Sequence, residues 1–273
     1  LSSARSRAPG WWVVFTRELA DHWIGGKALG LVLFFCVMVA GAAMLQAVIS
    51  VDDPIPPREM IFSALGLAIS FGLVMGLVIG ADSLSGERER GTLEALLLTP
   101  MSRRHIVAGK FLAAVSVWPV AMVVTAPYLT VLAQGDDALG PALRWGVVLG
   151  SLLAAAFAGL GMLVSFWSNA NKTSLTVSLT LYLLCFLPTQ MPSGAQKGFM
   201  GYLLKRVNPI EAVNQFLENV IVNNRTPHQM MPWLRGPAVF AVLVLGLLLW
   251  HAEGLSLDNG LPWLGRFGRR QPA

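Results

Sequence analysis

The segment Gly86-Glu-Arg-Glu-Arg-Gly-Thr-Leu-Glu-Ala-Leu-Leu-Leu-Thr-Pro-Met-Ser-Arg-Arg-His105 separates two long apolar stretches. It is the one dense charge cluster in a chain of 273 residues that is 55% hydrophobic and 13% charged. A soluble domain carries about a quarter of its residues as charges. Half that fraction, together with apolar runs of roughly 18 residues or more, places the chain in the membrane class. A membrane protein keeps such a segment in water, where a partner can hold it. The net charge of +5 then reads as membrane orientation. No Lys/Arg stripe with interleaved aromatics appears outside the loops, so nucleic acid is not an expected partner.

Working outward from the cluster gives an all-α membrane protein organised as one domain over residues 1–273. Six spans are expected, at 28–50, 60–81, 106–133, 143–167, 173–187 and 237–250. The last two are short against the roughly 20 apolar residues that a bilayer needs. Residues 1–10 read as a polar tail. Residues 11–27 read as an amphipathic helix with Trp11, Trp12, Phe15, Leu19 and Trp23 on one side and Arg17, Glu18 and Asp21 on the other. Tryptophan favours the headgroup layer, so this helix is placed in the membrane interface. A secretory signal peptide is not expected, because the first apolar run is too long and a Trp-rich segment precedes it. Pro119 and Pro127 are expected to bend the third span. Gly72, Gly76 and Gly80, and Gly146, Gly150, Ala154 and Ala158, form small-residue stripes that let helices approach closely in lipid.

Orientation follows from Lys and Arg. With the N-terminus in the cytoplasm, the inner segments hold most of the 20 basic residues, among them Arg17, Lys27, Arg88, Arg90, Arg103, Arg104, Lys110 and Lys172. The two short outer loops hold only Arg58 and Arg144. Both termini are therefore expected inside, and residues 84–99 face the cytoplasm. Residues 191–235 become an extracytoplasmic segment with an amphipathic stretch at Ile210–Val222.

Several chemistries are missing. No G-x-x-x-x-G-K-[ST] phosphate loop, H-E-x-x-H or G-x-S-x-G occurs. The four histidines are scattered, and Cys36 and Cys185 lie in apolar runs. No catalytic set, metal site, disulfide framework or resident cofactor is expected. No Asp, Glu, Lys or Arg lies deep in any span, which argues against an ion pump built on buried carboxylates. Gln46, Thr125, Tyr128 and Thr176 are the polar span residues that either line a path or serve packing; each could equally bond back to its own helix. Such sparse polarity favours a lipophilic or amphiphilic cargo over a bare ion.

Locally, Glu87–Leu98 reads as one short amphipathic helix. Arg90 and Glu94 can pair at i,i+4. Leu93, Leu96 and Leu97 form an apolar stripe that could fill a partner's groove. Pro100 stops the helix, and Ser102 can cap the next one.

The run Glu87-Arg-Glu-Arg-Gly-Thr-Leu-Glu-Ala-Leu-Leu-Leu-Thr-Pro-Met-Ser-Arg-Arg-His-Ile-Val-Ala-Gly-Lys110 resembles the signature of ABC-2-type permeases, the membrane subunits of a class of ABC transporters. Thr16-Arg-Glu-Leu19 and Asn208-Pro-Ile-Glu-Ala-Val-Asn-Gln-Phe216 resemble that family's N-terminal helix and its segment before the last span. The resemblance implies a coupling helix at 84–99. Glu87, Arg88, Glu89, Arg90, Gly91, Thr92, Leu93 and Glu94 would contact a separate cytoplasmic ATPase subunit, which would carry the ATP and Mg. Two ATPase copies and two permease copies, identical or paralogous, would make the working unit. The chain would be the permease of an exporter in a bacterial inner membrane, surrounded by lipid. Residues 191–235 would form a lid or a docking surface for a periplasmic partner. An alternative from a different class is a membrane platform that uses ATPase motion to assemble or mature an extracytoplasmic partner. An intramembrane enzyme is disfavoured by the missing catalytic sets.

Overall fold

A computed structural model describes residues 9–52, 55–133, 135–190, 201 and 205–255. Among these the chain is helical, with no strand. The polar N-terminal tail, the first part of the 191–235 segment and the basic C-terminal stretch fall outside the described residues. The elements are α1 (Gly10–Trp23), α2 (Lys27–Asp52), α3 (Pro57–Arg90), α4 (Leu93–Leu97), α5 (Arg103–Val115), α6 (Val117–Ala133), α7 (Leu139–Trp167), α8 (Asn171–Phe186), α9 (Pro209–Ile221), α10 (Pro227–Met230) and α11 (Arg235–Ala252). Short 3-10 turns follow α8 and α10.

Among the described residues, five helical stretches are long and apolar enough to cross a bilayer: Lys27–Gln46, Pro57–Arg90, Arg103–Ala133, Leu139–Trp167 and Pro227–Ala252. The expected fifth span is α8. Its 16 residues rise about 24 Å at 1.5 Å each, short of a hydrocarbon core of about 30 Å. The third span is interrupted next to Pro119, whereas Pro127 lies inside α6 without ending it. Pro119 cannot donate to the carbonyl of Val115, and its ring crowds that oxygen. The helix accordingly ends at Val115, and α6 begins at Val117.

The long helices alternate in direction, which gives the bundle two ends. Lys27, Arg90, Arg104, Ser168 and Glu253 gather at one, the charged end. Arg58 and Asp136 pair at the other, 3.2 Å apart. Two effects hold Asp136 ionised below the ordinary carboxylate range. The larger is the Ala138 backbone N–H it accepts, and the second is the bond from Arg58.

The core is the crossing of α3 with α7. Lipid supplies no hydrophobic drive between helices, so close van der Waals contact has to hold them. The two small-residue stripes face each other there. A Cβ on Gly80 would collide with the Ala158 carbonyl, and one on Gly161 with that of Leu77. About two turns further along, Gly72 and Gly150 make room for the ring of Trp118, whose Nε1 donates to Ser151 Oγ at 3.0 Å. Two hydroxyls fasten α8 to α3. Ser174 donates to Ala81 O at 2.7 Å, and Tyr182 to Ser70 O at 3.0 Å. The exposed faces of α2, α8 and α11 carry Leu33, Phe34, Leu184, Val242 and Leu249, as expected for an integral membrane protein facing lipid.

Helix α9 packs into the bundle at the far end. Ile210, Val213, Phe216, Leu217 and Val220 are all buried, and the Phe216 ring meets Trp145 of α7 edge-on, 4.9 Å between centroids. Asn208 anchors its start. The side-chain oxygen accepts from the N–H groups of Ile210 and Glu211, and the amide donates to the Cys185 carbonyl.

Candidate functional site

The charged segment is not one surface helix. Residues 57–90 are a single helix, so Glu87–Arg90 form its last turn. Gly91 then takes a left-handed conformation, φ 71. Its N–H donates to Arg88 O, and that of Thr92 to Glu87 O. This is the two-bond Schellman stop, which favours glycine because a Cβ crowds the left-handed backbone. The chain turns a corner and makes one further turn of helix, α4, before Pro100. Ser102 caps α5 as expected, accepting from the His105 N–H.

The expected Arg90–Glu94 pair does not form. The corner at Gly91 takes the two residues off a common helix face, and Arg90 pairs with Asp82 instead, at 3.3 Å. Nor is the leucine stripe free. Leu93 and Leu96 are buried in the same apolar cluster as Leu84, Ile106, Val107, Met162 and Phe166. The corner spends its leucines on its own bundle.

Most of the charges are also spent internally. The Lys110 ammonium, 1% exposed, donates to Glu18 Oε1 at 2.7 Å and to Glu87 Oε1 at 2.8 Å. One buried cation thus joins α1, α3 and α5. This corrects two sequence expectations. Glu18 is not on a solvated face of α1: the buried stripe is Val14, Glu18 and His22, because Lys110 draws the carboxylate inward. A charge also does lie inside the third span, four residues past its expected start. Burial lowers the imidazole of His22, one turn beyond Glu18, below its ordinary value; the Glu18 charge opposes this.

Arg88 donates to the carbonyls of Phe166 and Ser168 at the end of α7, where the helix dipole favours a cation. Glu89 accepts the Asn171 N–H at the start of α8, 2.9 Å, where the dipole favours an anion. Asp82 is a hub for Lys27, Arg90 and Asn171. Arg104 reaches Glu253 beyond α11 at 2.8 Å. The last turn of α3 is therefore fastened to α1, α5, α7 and α8 at once.

Of the eight residues expected to meet a partner, Glu89, Arg90, Gly91, Thr92 and Glu94 are exposed, Glu87 and Arg88 are half-buried, and Leu93 is buried. Leu98, just past α4, is 80% exposed. Glu94 and Leu98 project from the corner with no side-chain bond among the described residues.

The polar span residues separate into two groups. Gln46, Thr125 and Tyr128 surround a small cavity between α2, α3 and α6, with Val39, Ala42 and Leu132. Gln46 donates to Ser63 Oγ, and Thr125 bonds back to Ala121 O. Thr176 stands apart, exposed on α8. The sequence reading missed Asp82, Lys110 and a second cavity at the far end. A usable signal did exist for that cavity. Glu211, Asn214, Gln215 and Glu218 recur at i, i+3, i+4 and i+7, a helix face as regular as the apolar one behind it.

The model of the ABC-2 family transporter proteins matches residues 12–257. Over 152 residues, 49% of this chain and 39% of the relative, the chain is 30% identical to ABC transporter permease protein NatB of Bacillus subtilis. Over 103 residues, 37% of each chain, it is 34% identical to probable ABC transporter permease protein NosY of Stutzerimonas stutzeri. The chain thus spans about two-fifths of the length of these relatives.

Proposed function

The chain belongs to the ABC-2 family of transporter proteins, membrane subunits of ABC transporters, and on that premise we propose that it is an exporter permease driven through the α3–α4 corner by a separate cytoplasmic ATPase. The observation that carries this reading is mechanical. The corner is tied to α1, α5, α7 and α8 by buried or charge-assisted bonds, yet it leaves Thr92, Glu94 and Leu98 outward. A push on an element so fastened moves several helices rather than bending a loop. No phosphate loop occurs in residues 1–273, and in this reading a partner holds the ATP.

The working unit in this reading is two copies of this permease, or two paralogues, with two ATPase copies that hold ATP and Mg. It sits in a bacterial inner membrane, with both termini and the charged end in the cytoplasm. Helix α1 lies along the interface, and α8 with its 3-10 turn serves as the fifth of six spans. The platform alternative would need residues 191–235 as a docking surface. The apolar face of α9 is buried inside the bundle, so the described part of that segment favours a transport role.

The test is co-purification with the ATPase. Glu94→Arg and Leu98→Asp alter outward groups only, and Thr92→Arg removes in addition the hydroxyl bond to Glu87 O. Each is expected to weaken recovery of the complex at least about tenfold if it sits at the centre of the contact. Glu87 is a poor probe, because its substitution breaks the Lys110 cluster. Full recovery of the ATPase with all three variants would remove the corner as the docking element.

A further inference from the structure

A half-open cavity of about 380 Å³ lies at the far end of the bundle, between α3, the end of α8 and α9. Its size is that of a site for a small organic molecule. One wall is the polar face of α9: Glu211, Asn214, Gln215 and Glu218. The other is mixed: Phe62 and Leu67 from α3 and Phe186 from α8 give apolar ground beside the polar Ser63, Ser70, Thr189 and Gln190.

Glu211 is 6% exposed, and its carboxylate accepts one side-chain bond, from Gln215 Nε2 at 3.1 Å. Neither Glu211 nor Glu218 makes an ion pair among the described residues. Burial pushes the Glu211 carboxyl above its ordinary value; the bond from Gln215 and the charge of Lys205 oppose this, the latter without forming an ion pair. A carboxylate held away from water in a membrane protein is costly and is retained for use. The cavity therefore offers two carboxylates on one side and, on the other, three large apolar side chains among neutral polar ones. A metal ion fits poorly. The two carboxylates are seven residues apart, about 10 Å along a helix axis, and no cluster of metal-ligating side chains occurs among the described residues.

We propose that this cavity binds an organic cation with an apolar body, its positive centre held at Glu211, with Glu218 about two turns along α9 adding to the negative field, and its apolar part against Phe62, Leu67 and Phe186. This names a substrate class for the transporter reading above and rests on it. Export would carry such a molecule past α9 last, since the cavity lies at the end away from the ATPase.

The test uses the full chain alone, in phosphatidylcholine nanodiscs. Radiolabelled tetraphenylphosphonium is compared with tetraphenylborate, an anion of the same size and shape. Tetraphenylphosphonium should bind saturably and tetraphenylborate should not. Glu211→Gln should weaken the cation at least about tenfold, because it removes the charge–charge attraction in a site partly shielded from water. Glu218→Gln should weaken it less, and Glu59→Gln, an exposed carboxylate at the same end outside the cavity, should leave it unchanged. Equal binding of the two ions, or full binding by the double Glu→Gln variant, overturns the assignment. If Glu211→Gln does not fold, Glu218→Gln and the cation–anion comparison on the unaltered chain still decide. Because no ATPase is present, this outcome is independent of corner docking. Lost cation binding with docking intact sinks only the cavity. Lost docking with cation binding intact sinks only the coupling reading.

Discussion

Lys110→Met removes the cation from between Glu18 and Glu87 and leaves two carboxylates facing each other. The ammonium is 1% exposed, and the carboxylate side chains are 10% and 18% exposed, so water screens little of the result. Breaking a buried ion pair by deleting one partner costs about 3–5 kcal/mol, because an uncompensated charge stays behind. Glu18→Gln or Glu87→Gln alone keeps one ion pair and one neutral bond, and should cost about 1–3 kcal/mol. The informative variant is the triple, Lys110→Met with Glu18→Leu and Glu87→Leu. A buried charge cluster replaced by apolar groups of similar volume is often neutral or stabilising, so the triple should recover most of the loss of Lys110→Met. Reversible unfolding by SDS in mixed micelles measures all four. A triple variant less stable than Lys110→Met, or a Lys110→Met chain as stable as the parent, would refute the reasoning. The recovered triple also separates stability from coupling. Its α1, α3 and α5 are packed but no longer joined through one cation, so ATPase recovery should persist while substrate-stimulated hydrolysis falls.

Acid should loosen the same region through His22. Burial holds its imidazole below the ordinary 6.5, so the unfolded chain takes up the proton first. Its contribution is therefore fully present above about pH 6.5 and declines as the pH drops toward the lowered folded value. Glu18 and Asp82 act to raise that value, and Lys110 and Lys27 to lower it. The SDS midpoint should drop between pH 7.5 and pH 5.5, and His22→Gln should reduce that drop; an identical drop in the variant would exclude His22 as its source. At the far end, Asn208→Ala removes the cap on α9 and its tie to Cys185 O. It should cost about 1–2 kcal/mol and weaken tetraphenylphosphonium binding, whereas Asn208→Asp, which keeps the capping oxygen, should restore most of the stability.

What the sequence disclosed and what it hid follow from how far each interaction reaches along the chain. Apolar length set the long helices, and Pro119 set the break between α5 and α6 within one turn of itself. The small-residue stripes announced the α3–α7 crossing because their spacing is local to each helix. The sixteen residues of α8 fall short for the same local reason. The charged segment misled because its local signals were sound but overruled. Helix formers run from Glu87 to Leu98, and Arg90 and Glu94 have pairing distance in sequence. Gly91, which stops α3, looks in sequence like a tolerated interior glycine.

The decisive partners of that segment lie far away in sequence. Arg88 meets the Ser168 carbonyl from 80 positions off, and Glu89 meets Asn171 from 82. No window of periodicity contains both members of either pair. That distance is also why the corner suits transmission. Contacts within one helix would let the last turn of α3 move alone. Contacts to α1, α5, α7 and α8 require those helices to move with it or the bonds to break. The cavity beside α9 lies at the other end of α3, the 34-residue helix that also carries the corner. A displacement of α3 at Glu87 is therefore felt at Phe62 without an intermediary, because one rigid element lines both places. Under the two proposals, ATPase docking and cation binding occupy the two ends of the same helix.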